Sequence, residues 1–131
     1  MQFVTAATVL GITLAVGLPA SAADSTADKV RLQAAMQQHI ESLTIDGAIL
    51  HLDTASGEVI ELFPTQAHPM IMTMGDHFVL CADLKNAAGR SLPIDFYMTA
   101  DGQRFIAFHT EIDNRSFLEG MMKRGQVQQL K

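Results

Sequence analysis

Two hydrophobic rhythms divide the chain. Leu32, Met36, Ile40 and Leu43 recur at steps of four, four and three. Such spacing places them in one stripe along a helix. Ahead of the stripe, Ser25-Thr26-Ala27-Asp28 has the spacing of a capping box, with Asp where Glu is usual. The pattern predicts an amphipathic helix from Thr26 to Ser42, with Lys29, Arg31, Gln37, Gln38 and Glu41 mostly off the stripe.

From Ala48 the period falls to two, as in a strand. Ala48, Leu50 and Leu52 alternate with Ile49, His51 and Asp53; after a turn at Gly57, Ile60 and Leu62 alternate with Val59, Glu61 and Phe63. This reads as a hairpin. Pro64 and Pro69 bracket what reads as a short irregular link, because neither can donate to a sheet ladder. An extended region from Met70 to Leu84 is interrupted by Gly75-Asp76, a bulge or a tight bend. In its second half Phe78, Leu80, Ala82 and Leu84 alternate with His77, Val79, Cys81 and Asp83. Beyond a loop at Lys85–Ser91, Ile94, Phe96 and Met98 alternate with Asp95, Tyr97 and Thr99. Asp101-Gly102 is a hairpin signal. In the last strand Ile106, Phe108 and Thr110 oppose Phe105, Ala107, His109 and Glu111. Ser116-Phe117-Leu118-Glu119 forms a fuller capping box for a second, short helix that stops at Gly125, and the last residues read as a loose tail.

The expected fold class is therefore α+β. An N-terminal amphipathic helix packs on a curved antiparallel sheet of four to five strands, with a short C-terminal helix. In element order alone this resembles the cystatin-type arrangement. No inhibitor motif of that family is present, so the likeness implies nothing about activity.

The first 22 residues change the picture of where this domain lives. They carry no charged side chain and end in Ala20-Ser21-Ala22, the small-x-small pattern of a signal-peptidase site, although the n-region lacks Lys and Arg. Residues 1–22 are expected to be a cleaved secretory signal, leaving 109 residues, 23–131, as a single small domain in the periplasm or outside the cell. No membrane attachment is expected after cleavage. The net charge of −5 disfavours nucleic acid and anionic membranes as partners. A lone Cys81 cannot make an internal disulfide, so it reads first as a small buried residue. A soft metal ligand or an intermolecular disulfide are its other readings.

One stretch suggests chemistry. In HPMIMTMGDH, His68, Met70, Met72 and Met74 stand at every second position, and His77 follows. If the segment is extended, the first four project from one side. Thioether sulfur is a soft, proton-free ligand that suits Cu(I) and stays usable where a thiol would oxidise. The candidate metal ligands are thus His68, Met70, Met72, Met74 and His77, with His109 able to add a nitrogen from a neighbouring strand. His68-Pro69-Met70-Ile71-Met72 and Gly75-Asp76-His77-Phe78-Val79-Leu80 resemble a segment of the periplasmic copper chaperones of the H-M/H-x-M class. The resemblance implies Cu(I) as ligand. It covers about a tenth of the chain, and the upstream strands offer His51 but not the methionine such proteins place there. Against it stands ordinary packing: methionine fills gaps in a core, and a buried strand face needs an apolar residue at every second position. An exposed Met-rich contact surface is the third option.

Other constellations are weaker. His109 with Glu111, and Asp76 with His77, each set a carboxylate beside an imidazole, the minimum for acid–base work. Phosphate-loop, zinc-spacing and paired-carboxylate motifs are lacking, and Ser116 reads as a cap. The function expected from the sequence is that of a small exported binding or accessory protein without catalysis. Its partner would be an unidentified protein, a metal ion or a second copy of the chain. A copper-binding protein using the Met/His strand face is the sharper alternative, and a His/carboxylate enzyme a distant one.

Overall fold

A computed structural model describes residues 26–131; the expected signal segment and Ser25 lie outside these. The chain is α+β, a helix followed by a six-strand antiparallel sheet and a short second helix. Helix α1 spans Thr26–Leu43, and Leu32, Met36 and Ile40 are its buried stripe. It ends where Thr44 Oγ1 donates to the Ile40 carbonyl at 2.7 Å, satisfying an acceptor the helix can no longer use.

Six strands follow in spatial as well as chain order: β1 Thr44–Ile45, β2 Ala48–Asp53, β3 Glu58–Met74, β4 His77–Lys85, β5 Ser91–Asp101 and β6 Arg104–Ile112. Helix α2 covers Arg115–Lys123, and a two-residue strand β7, Gln128–Gln129, pairs with β3. The sheet is thus wider than the four to five strands expected. The β1–β2 turn is one reason: Asp46 and Gly47 both have positive φ, the backbone of a tight two-residue hairpin.

The expected Pro64–Pro69 link is not a link. β3 runs through both prolines as one 17-residue strand. Its pairing with β4 jumps at Pro64/Gln66 and again at Ala67/Ile71. Bulges of this kind accommodate residues that cannot hold a regular ladder. Gln33 of α1 steadies the second bulge, its side-chain amide donating to the carbonyls of His68 (3.1 Å) and Pro69 (3.3 Å). Gly75-Asp76 is a two-residue hairpin turn, with Met74 opposite His77 and Gly75 at φ +58°.

The sheet is covered on both faces. Against α1 pack Ile49, Leu62, Ile71, Phe78, Leu80, Leu84, Ile94, Phe96 and Met98. The alternate residues Met72, Val79, Cys81 and Tyr97 pack against Leu118 and Met121 of α2 and against Val127. Both registers of β4 and β5 are therefore apolar, as a strand buried on two sides requires. The tail is not loose. Val127 is buried in this second core, Leu130 packs on the first, and the Leu130 amide donates to the Ile71 carbonyl at 2.9 Å.

Two further local expectations change. α2 begins at Arg115 with Asn114 at the N-cap, so Ser116 lies inside the helix rather than capping it. In β6 the pairing slips between Tyr97↔His109 and Met98↔Ala107. The slip puts His109 and Glu111 on the face opposite Phe105 and Ala107, where strict alternation had grouped all four.

Candidate functional site

The methionine row divides after Met72. His68, Met70 and Met72 border one cleft of about 350 Å³ between β3–β4 and α2, together with Pro69, Cys81, Arg115, Leu118 and Met122. Met72 lies buried at its inner end, whereas Met70 is 46 % exposed at the lip. Met70 also borders a neighbouring groove of about 400 Å³ between α1 and the C-terminal residues. Met74 and His77 sit farther along, beside the hairpin turn. Met74 packs against the second core. His77 is engaged by Thr99, Nδ1 to Oγ1 at 3.0 Å, and by the Phe108 ring at 5.2 Å between centroids. His109 lies across the sheet, with Nε2 at 2.7 Å from Glu111 Oε1 and its ring beside Tyr97. The fold therefore brings three of the five candidate ligands together and leaves two apart.

His68 is held by a carboxylate. Its Nε2 lies 2.9 Å from Asp83 Oδ2. A carboxylate only accepts, so Nε2 carries the proton, and in the neutral ring Nδ1 keeps its lone pair. An imidazole fixed by a carboxylate through one nitrogen is the arrangement that presents the other to a metal.

Beneath the cleft lies a polar cluster the sequence did not signal. Asp95, 1 % exposed, faces Arg115, whose Nη2 is 2.9 Å from Asp95 Oδ1. That approach is too poorly directed to count as a hydrogen bond, and Asp95 Oδ1, Arg115 Nε and the Tyr97 hydroxyl are all buried without one. The contact is an ion pair. Burial raises the Asp95 carboxyl above its usual range, opposed by the Cys81 thiol and the Arg115 charge. Burial likewise pushes the Cys81 thiol well up, reinforced by its hydrogen bond to Asp95. A thiol held so firmly protonated is a poor nucleophile and a poor anionic ligand. Tyr97 is pushed up to about 12, first by burial and then by the Asp95 charge.

Among the described residues Arg115 is the one Lys or Arg lining the cleft, and Asp95 is its counter-ion. The remaining lining offers thioethers, an imidazole, the Cys81 thiol and hydrocarbon. Among the described residues no three His, Cys, Asp or Glu side chains converge as a zinc-type site would need. Exposed apolar side chains also occur elsewhere: Leu50, Leu52, Val59 and Phe63 lie on the β2–β3 ribbon. No known family, curated protein or solved structure matches the chain.

Sequence reasoning missed Met122, Arg115 and Asp95. Asp95 stood among apolar residues in a strand, which marks a buried charge in need of a partner. Nothing in the sequence tied it to Arg115, 20 residues farther along the chain.

Proposed function

We propose that this is a small exported binding protein without catalysis, that its ligand seat is the cleft between β3–β4 and α2, and that its ligand is Cu(I). One observation carries the reading: His68, Met70 and Met72 border a single cleft, and Asp83 engages His68 through Nε2, which leaves Nδ1 as the nitrogen for a metal. Thioethers and a neutral imidazole suit a soft monovalent ion. A harder divalent ion would want oxygen ligands, and it would meet Arg115 in the wall without a carboxylate of its own. The protonated, buried Cys81 argues against a nucleophilic enzyme here. An exported location fits the use of thioethers in place of thiolates.

The test is a titration of the purified protein with Cu(I) against a chromophoric Cu(I) chelator. The parent should withdraw one equivalent of metal. Asp83→Ala, which removes the orienting acceptor, should bind about 10–100-fold more weakly. A double Met70→Leu, Met72→Leu variant should leave the metal on the chelator. A parent that takes no Cu(I), or a double variant that binds as well as the parent, overturns the copper assignment. The broader reading would then take over: an exported protein with a protein partner, or a second copy, on the Leu50–Val59 face of the β2–β3 ribbon.

A further inference from the structure

The cleft has two walls on different elements, and the methionine row supplies only one of them. Helix α2 carries consecutive methionines with different surroundings. Met121 is buried in the second core, whereas Met122 is 44 % exposed on the lip of the cleft. Leu118 and Met122 are four residues apart, hence on one helix face, and both line the cleft. Leu118 is fully buried, so packing accounts for it; packing does not account for Met122. A second half-exposed methionine, Met70, stands on the lip formed by β3.

We propose that Met122 is a ligand of the same site, so that a bound Cu(I) bridges α2 to the sheet through His68, Met70, Met72 and Met122. This rests on the Cu(I) reading above and revises its ligand set. Met74 and His77 drop out because neither borders the cleft: both sit at the β3–β4 hairpin turn, beyond its lining. Cys81 is buried on β4 at the floor of the cleft, below the lips that carry Met70 and Met122, and is left out of the set. The four remaining donors are neutral, so the loaded site carries only the ion's single charge. That charge is tolerable beside an Arg115 already balanced by Asp95. A metal bound across two elements stabilises the state in which both are in place, so loading should restrain α2.

The experiment compares parent, Met122→Leu, Met74→Leu and His77→Asn in the same chelator competition. Amide hydrogen exchange is followed in residues 115–123 with and without one equivalent of Cu(I). Leu nearly conserves the volume of Met, and Met122 is half exposed, so Met122→Leu should fold as the parent does; its thermal midpoint verifies this. Met122→Leu should weaken binding by about tenfold or more, since loss of an outer-shell partner alone costs at least that. Met74→Leu and His77→Asn should stay within about twofold of the parent, under half a kcal/mol. Copper should slow exchange in α2 of the parent and not of Met122→Leu. Parent-like binding by Met122→Leu, with Met70 and Met72 still required, overturns the bridge and leaves a sheet-only site. Equal losses in Met74→Leu would place the ion at the hairpin turn instead. A parent that binds no Cu(I) at all removes the Cu(I) reading, and the bridge with it.

Discussion

Replacing Leu118 by Ala tests the second core, on which the whole cleft depends. Leu118 is fully buried against Met72, Val79, Cys81, Tyr97, Met121 and Val127. Buried Leu→Ala changes cost about 2–5 kcal/mol, the spread following the size of the void that remains. Here the vacated volume borders a cleft already open to solvent. Water or a shifted α2 can take up part of it, which places the cost in the lower half, about 2–3 kcal/mol. Met36→Ala is the matched control, because Met36 is sealed between α1 and the sheet with no such outlet. It should cost about 3–5 kcal/mol. Urea denaturation would report both as shifts in midpoint at constant slope. The corresponding fall in thermal midpoint for Leu118→Ala is about 10–20 °C for a domain of this size. A Leu118→Ala cost below about 1 kcal/mol would mean that α2 is not docked as described. A cost equal to that of Met36→Ala would mean that the cleft is closed beside Leu118.

Three further outcomes follow from the same geometry. Cys81 is buried and its thiol is held protonated by burial and Asp95, so a thiol reagent at pH 8 should label the folded protein orders of magnitude more slowly than the urea-unfolded chain; fast labelling of folded protein would refute the burial. His109 and Asn114 hydrogen bonds hold the Glu111 carboxyl below its ordinary range. Because the folded value is depressed, this stabilisation is present above the ordinary Glu pKa and is lost as pH falls through the folded value. The stability gap between parent and Glu111→Gln should therefore shrink from pH 7 to pH 3, and a gap that widens on acidification would contradict the assignment. Truncation after Gln126 should destabilise the protein by about 2 kcal/mol or more, since it exposes the pocket of the buried Val127 and removes β7. A calorimetric midpoint unchanged by that truncation would return the tail to being loose.

Much of the fold is legible because burial follows period. The Leu32-Met36-Ile40 stripe can only be a helix face, and Phe78-Leu80-Ala82-Leu84 can only be one side of a strand. Both point at the same core. What alternation does not reveal is where it breaks. The slips at Ala67/Ile71 and Tyr97/Met98 each shift the pattern, and both lie beside residues of chemical interest. The first separates His68 and Met70 from the regular ladder, and the second moves His109 and Glu111 to the other face. The two-sided burial of β4 and β5 was visible as apolar residues in both registers, Val79 and Cys81 beside Leu80. Alternation alone does not announce the second layer, because α2, which forms it, is only nine residues long. The tail's role was hidden for a related reason, since Val127 acquires meaning only against Met72 and Val79 from distant strands.

The candidate site was half legible. Period two put His68, Met70 and Met72 on one flank, and the structure brings those three to one cleft. The same reasoning joined Met74 and His77 to them, but it could not see that the second core and Thr99 would engage those side chains. Met122 lies 50 residues beyond Met72, on another element, and no local pattern links the two.

The most direct measurement uses the methionine methyl groups as reporters. Protein carrying ¹³C-methyl methionine should show a separate signal for each of Met36, Met70, Met72, Met74, Met98, Met121 and Met122. On adding one equivalent of Cu(I) under reducing conditions, the account predicts large shifts for Met70, Met72 and Met122, with Met36 and Met98 unmoved in the first core. If the signals of Met70 and Met72 stay in place while copper is bound, or if no copper binds, the cleft is not a soft-metal site.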